Sequence, residues 1–373
     1  MAAMSYAPSR AQWEARPPAE LGLRADALQA AIFYHRAHES TWPRNFITSS
    51  GRYIGVADEP EDSAVLGPVR PREDPSGIVV RRGFIAAEWG DTRRTDMSFS
   101  IAKSYLAVLT GLAVQRGLIA DLDAPVAATA IDDGFASPHN AAITWRHLLQ
   151  QTSEWQGTLW DKPDSIDHNR DVGKSELGYS AKGTPRPMRP PGTLWEYNDV
   201  RVNRLSLSLL QRFGRPLPEV LRESIMDPIG GADDWEWHPY RNSWIELGGR
   251  RLPSVPGGSH WGGGLWMAAR EHARFGLLML RGGQWGDRRL LDAAWIDEMR
   301  RPSPLHPGYG FLWWLNTGRT ALPSAPETSY AARGAGSNVI WIDPEHDLVV
   351  VVRWIDKASF PDFVGRVLES VRG

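Results

Sequence analysis

The chain has 373 residues, 42% hydrophobic and 23% charged, enough to bury a large core in one domain or two closely joined ones. With a formal net charge of −2 and no cysteine, it excludes disulfides, thiolate catalysis and thiolate metal sites, and it offers no overall attraction to nucleic acid or an anionic membrane; the redox compartment stays open. No apolar run is uniform enough to span a bilayer, and the start Met1-Ala-Ala-Met-Ser-Tyr lacks the basic-then-apolar pattern of a secretory signal, so a cytoplasmic protein is expected.

Residues 1–20 read as a poorly ordered lead-in, followed by a helix over Leu23 to Ala37 and a Pro- and acid-rich surface connector from Glu59 to Pro75. Gly77-Ile-Val-Val-Arg-Arg-Gly83 and Phe84-Ile-Ala-Ala-Glu-Trp-Gly90 predict a hairpin, and Ile101 to Val114 predicts a helix buried on most sides. From Leu118 to Gly257 the pattern is helices and long loops with little strand signal. Thr144 caps a short helix, 152–191 is a long polar loop, and helical spacing returns at Asp199 to Phe213 and Leu217 to Met226. A strong amphipathic helix covers Ala268 to Leu280. Two β-rich runs, Asn338 to Ile342 and Leu348 to Arg353, flank a turn, and a helix from Pro361 to Val371 closes the chain. Strands near both ends with helices between predict an α/β (α+β) fold: an antiparallel sheet flanked by helices, from 1–99 plus 262–373, and an inserted mostly helical domain over 100–261, with the site at their junction.

Lys103 stands out, because a lysine is seldom buried in an apolar helix unless it is paired. Only five lysines occur, at 103, 162, 174, 182 and 357. At a spacing of three, Ser100 and Lys103 share a helix face, which sets a hydroxyl beside an amine whose pKa burial is expected to lower toward neutrality. Among the 18 tryptophans, those in Gly- and Pro-rich stretches suggest an aromatic-walled cleft.

Three motifs occur in order: Ser100-Ile-Ala-Lys103; Trp195-Glu-Tyr197-Asn-Asp199 behind the turn at Pro190; and Ala332-Arg333-Gly334-Ala335-Gly336 opening a strand. The set resembles the serine β-lactamase and penicillin-binding-protein superfamily, within it the class C-like branch of family VIII carboxylesterases and 6-aminohexanoate-dimer hydrolase, over about residues 75–355. The resemblance implies the β-lactamase/DD-peptidase-like fold, with Ser100 as the acylated nucleophile, Lys103 as its base and Tyr197 as the group that passes the proton on. It implies no cofactor and no metal. The Ala335 N–H, made approachable by Gly334 and Gly336, would pair with that of Ser100 as an oxyanion hole. The chain departs from the pattern at Asp199, where the family's Tyr-x-Asn has Asn, and at Ala332-Arg333-Gly334, which lacks a cationic first residue; β-lactam and peptidoglycan carboxylates are therefore less expected as substrates.

The expected activity is a serine hydrolase acting on a small-molecule ester or amide, with Trp155, Trp160, Tyr179, Asp199, His260, Trp266, Tyr309, Trp313 and Gly334 as substrate-binding residues. A β-lactamase or DD-peptidase and a catalytically silent binding protein are the alternatives. The segment Gly257-Gly-Ser259-His260-Trp261 lacks the last glycine and the preceding strand of a nucleophile elbow. Asp161, Asp164, Asp167, His168 and Asp171 have spacing too irregular for a metal loop and read as a solvated acidic surface.

Overall fold

The computed structural model describes residues 6–172 and 181–371. The two β-branched runs at opposite ends of the chain meet in one sheet. Its strands are β1 (Ser76–Arg81) and β2 (Phe84–Trp89) from the N-terminal half. Two short strands, β3 (Asp96–Met97) and β4 (Glu236–His238), pair separately with β5 (Gly264–Met267). The main sheet is completed by β6 (Trp314–Leu315), β7 (Tyr330–Gly334), β8 (Asn338–Asp343) and β9 (Leu348–Arg353). It is antiparallel throughout, in the order β6-β7-β8-β9-β1-β2, so the last strand pairs with the first, Ile78 opposite Val351. The β1–β2 turn has positive φ at Arg82 (53°) and Gly83 (87°), the backbone a tight hairpin needs.

Every residue of β1, β8 and β9 is buried, which explains why these strands read as continuous apolar runs rather than alternating ones. Alternate side chains still go to different layers. Val79, Val350 and Val352 pack with α1 (Ala25–Ala37) and the C-terminal helix; Ile78, Val80, Val349 and Val351 face the main core. That core contains α2 (Ile101–Gln115), α3 (Trp145–Leu149), α4 (Asp199–Phe213), α5 (Leu217–Leu221), α6 (Ala269–Leu280) and α7 (Ala293–Met299). The C-terminal helix is α8 (Phe360–Glu369). At Gly276 in α6 a Cβ would lie 2.7 Å from Val349 Cγ1, so glycine there lets the helix sit close on the sheet.

Several expectations need correction. The lead-in is anchored from Tyr6 onward: Tyr6 stacks on Phe84, and buried Trp13 donates its indole N–H to Gly83 O. The connector after Glu59 is not all surface, since Glu59, Leu66 and Arg72 are buried. The stretch 118–257 contains two short hairpins, at 158–163 and 244–253, besides β4. The acidic loop is not a solvated face: Asp164, Asp167 and His168 are buried, because Arg201 donates to Asp164 at 3.0 Å and Arg170 and Lys182 lie beside Asp167. No helix among the described residues is long and apolar enough to cross a membrane.

Candidate active site

The backbone turns sharply into α2. Phe99 has φ of 49°, an uncommon conformation for an aromatic residue, and Ser100 follows as the helix N-cap. Its hydroxyl does not cap the helix. Instead Lys103 Nζ, one turn on, donates to Ser100 Oγ at 2.8 Å. The ammonium's other two hydrogen bonds go to Asp199 Oδ1 at 2.5 Å and Gly257 O at 3.2 Å, so a lysine that is 1% exposed uses all three donors.

This geometry corrects the expected ionisation of Lys103. Burial does oppose its charge, but the Asp199 carboxylate, with Tyr197 and the Asp199 hydrogen bond, outweighs burial and holds the pKa above the ordinary lysine value. Asp199 is held well below the usual carboxylate range: burial resists its charge, yet Arg170 and Lys103 overcome that. Asp199 is also the first residue of α4, where the helix dipole favours an anion. Asn198 caps the same helix by accepting from Arg201 N, which leaves Tyr197 at the last turn before it. The Tyr197 ring lies between two cations, Lys103 Nζ 4.8 Å and the Arg170 guanidinium carbon 5.3 Å from its centroid. Its hydroxyl makes no hydrogen bond among the described residues.

Ser100 and Tyr197 open into a cleft of about 220 Å³ lined also by Trp42, Arg170, Trp314 and the stretch from Arg333 at the end of β7 through the following turn to Ser337. Gly334 and Ala335 are therefore beside the serine. A Cβ on Gly334 would fall 2.3 Å from Ser98 O, so only glycine lets β7 pass this close to the backbone leading into Ser100. Gly258 packs on the other side, its Cβ position 3.4 Å from Lys103 Nζ and 3.5 Å from Ser100 Oγ. Arg333 lines the cleft between Trp314 and Phe360, with ring centroids 5.9 and 5.7 Å from its guanidinium carbon. It meets no carboxylate among the described residues, its Nε has no partner, and burial pushes it down to about 10.

The other expected wall residues sit elsewhere. Trp155, Trp266 and Trp313 are buried in the core, Trp155 donating to Gly134 O and Trp266 to Gly263 O; Trp160 packs edge-on against Tyr240. Tyr309 lies behind the cleft, its hydroxyl on Gln151 and its ring 6.4 Å from that of Tyr197. His260 does not line the cleft; it is enclosed between Glu59 and Asp199. Tyr179 lies outside the described residues. Large aromatics near glycine look alike in sequence whether they wall a cavity or fill a core, and only packing separates them. Sequence reasoning missed Arg170, Glu59, Trp42 and Phe360, which come from four distant segments and share no spacing signal.

A sequence model of the Beta-lactamase family matches residues 94–363, most of the chain. The chain belongs to the Beta-lactamase family. This beta-lactamase-family chain is 25% identical, over 205 residues, to an Escherichia coli O157:H7 protein provisionally named a D-alanyl-D-alanine carboxypeptidase; the match covers 46% of this chain and 47% of that one, so the chain spans about half the length of the curated relative it matches. Among solved structures, a penicillin-binding protein homologue from Caulobacter crescentus superposes with a TM-score of 0.60 at 15% identity, covering 94% of this chain and 99% of the other. A Bacillus anthracis protein provisionally named 6-aminohexanoate-dimer hydrolase gives 0.54 at 14% identity, covering 98% and 88%. These likenesses establish the β-lactamase/penicillin-binding-protein fold, with its mixture of helices and antiparallel sheet.

Proposed function

We propose that the protein is a serine hydrolase that cleaves an ester or small amide through an acyl-enzyme at Ser100. The observation that carries this reading is the 2.8 Å contact between Ser100 Oγ and Lys103 Nζ at the edge of the cleft. Ser100 Oγ attacks the substrate carbonyl carbon as its proton passes to the Lys103–Tyr197 pair; the pair returns that proton to the leaving group, and water repeats the sequence to release the acid. The backbone N–H groups of Ser100 and Ala335 would receive the oxyanion. Because Lys103 rests as an ammonium, it must first lose a proton to act as base, so activity is expected to rise with pH through that ionisation.

A fluorophosphonate probe read by intact-protein mass spectrometry tests the reading. One adduct is expected on the wild type and none on Ser100→Ala; an unlabelled wild type, or equal labelling of both, would refute it. A panel of p-nitrophenyl esters of graded acyl length, linear amides and nitrocefin then ranks substrates. A second reading, hydrolysis of β-lactams or peptides bearing a carboxylate, gains from Arg333: the third motif lacks a cationic first residue, but its second residue turns a guanidinium into the cleft.

A further inference from the structure

Behind Lys103 the site continues into a buried chain of charges that the hydrolytic steps do not use. Asp199 Oδ1 takes Lys103, and its second oxygen, Oδ2, lies 2.8 Å from Arg170 Nη1 and 3.4 Å from His260 Nδ1. The other ring nitrogen of His260, Nε2, is 2.7 Å from Glu59 Oε1. A neutral imidazole carries one N–H and can satisfy only one of two carboxylates; the imidazolium donates to both. We propose that His260 is a positioning residue for the Ser100–Lys103 pair: its imidazolium, anchored by Glu59, takes a share of the Asp199 carboxylate and so weakens that carboxylate's hold on the Lys103 ammonium. The inference rests on the hydrolase reading only for its consequence, which is a lysine that gives up its proton more readily.

All the surrounding charges bear on this. From the segment before the site come Asp58 and Glu59, with the Tyr53 hydroxyl on Ser259 O; from the 162–170 stretch come Lys162, 3.7 Å from Glu59, and Asp167 and Arg170. Lys182 Nζ lies 3.3 Å from both Glu59 Oε1 and His260 Nε2 and opposes a charge on the ring. Tyr240 packs on the neighbouring Trp261, whose indole also donates to Glu59. Burial and Lys182 push His260 down, while Glu59 and the Asp199 hydrogen bond push it up, and the net direction is upward. Direct repulsion between His260 and Lys103 acts in the same sense as their competition for Asp199.

Because coupling between two titrating sites is reciprocal, it can be read from either end without any turnover. The imidazole 15N shifts of His260 in the full chain are followed against pH in wild type and Lys103→Met. The expected result is a ring doubly protonated at pH 7 in the wild type, with its midpoint moving up by about half a unit or more when Lys103 is removed. The second arm uses 13Cε-lysine, which yields few enough signals from five lysines to assign Lys103; its midpoint should rise in His260→Gln and fall in Asp199→Asn. A neutral His260 at pH 7, or a midpoint indifferent to the partner's removal in either arm, overturns the proposal. Fluorophosphonate labelling of Ser100 is scored separately, so a failed hydrolase reading shows as absent label and a failed His260 coupling as unmoved midpoints.

Discussion

Gly334 and Ser98 approach so closely that a Cβ on the glycine would lie 2.3 Å from the serine carbonyl oxygen. The contact is backbone against backbone, where no side chain can swing away, and it joins β7 to the turn that delivers Ser100. Gly334→Ala must therefore separate the strand from the turn. A destabilisation of about 1–3 kcal/mol is expected from overpacking, together with a larger fractional loss of Ser100 labelling than the melting temperature alone predicts. Full labelling at an unchanged melting temperature would contradict this.

Arg333 is the cleft's guanidinium without a carboxylate partner among the described residues. Arg333→Gln should leave stability unchanged or improved, since a half-buried charge without a counter-charge is removed. If the cleft takes a carboxylate-bearing substrate, KM for it should rise about 10–100-fold, the worth of a charge-assisted hydrogen bond, while a neutral ester of equal length is unaffected. Parallel steady-state kinetics on the two esters decide between the readings.

Arg201, 2% exposed, holds three carboxylates: Glu154 at 2.6 Å, Asp164 at 3.0 Å and Glu196 at 3.2 Å. Glu154 and Asp164 fix the 152–168 loop to α4, and Glu196 fixes the segment just before it, and hence the start of the helix that carries Asp199. Arg201→Met leaves Asp164 without its arginine and removes one of the two arginines, the other being Arg186, that hold buried Glu154 and Glu196, and should cost about 3–5 kcal/mol in urea unfolding. A loss below about 1 kcal/mol would mean the network reorganises around Arg186.

The same acids set the behaviour at low pH. Burial raises Glu154, but its hydrogen bond from Arg186 and the charge of Arg201 bring it down to about 2; Glu59 and Asp164 are likewise lowered, burial being outweighed for Glu59 by His260 and for Asp164 by the His168 hydrogen bond. A carboxylate depressed in the folded state contributes stability that is complete above its unfolded value and is lost as pH falls through the folded one. The melting temperature should thus decline between about pH 4 and pH 2, and Arg201→Met should flatten that decline.

Local spacing by itself determined much of this protein. The three-residue step from Ser100 to Lys103 puts them on one helix face wherever the helix lies, and the β-branched runs at 76–81 and 348–353 are strands by composition. The order of the three motifs was enough to name the superfamily and to single out Tyr197, Gly334 and Ala335, all of which stand beside Ser100 at the cleft. Tertiary structure alone decided the charge state of Lys103, because burial and a carboxylate 96 positions away act in opposite directions and only their distance settles the sign. It also decided which aromatics wall the cleft and which acids are buried. A tryptophan or an aspartate in a loop carries no local mark of what the rest of the chain will bring against it.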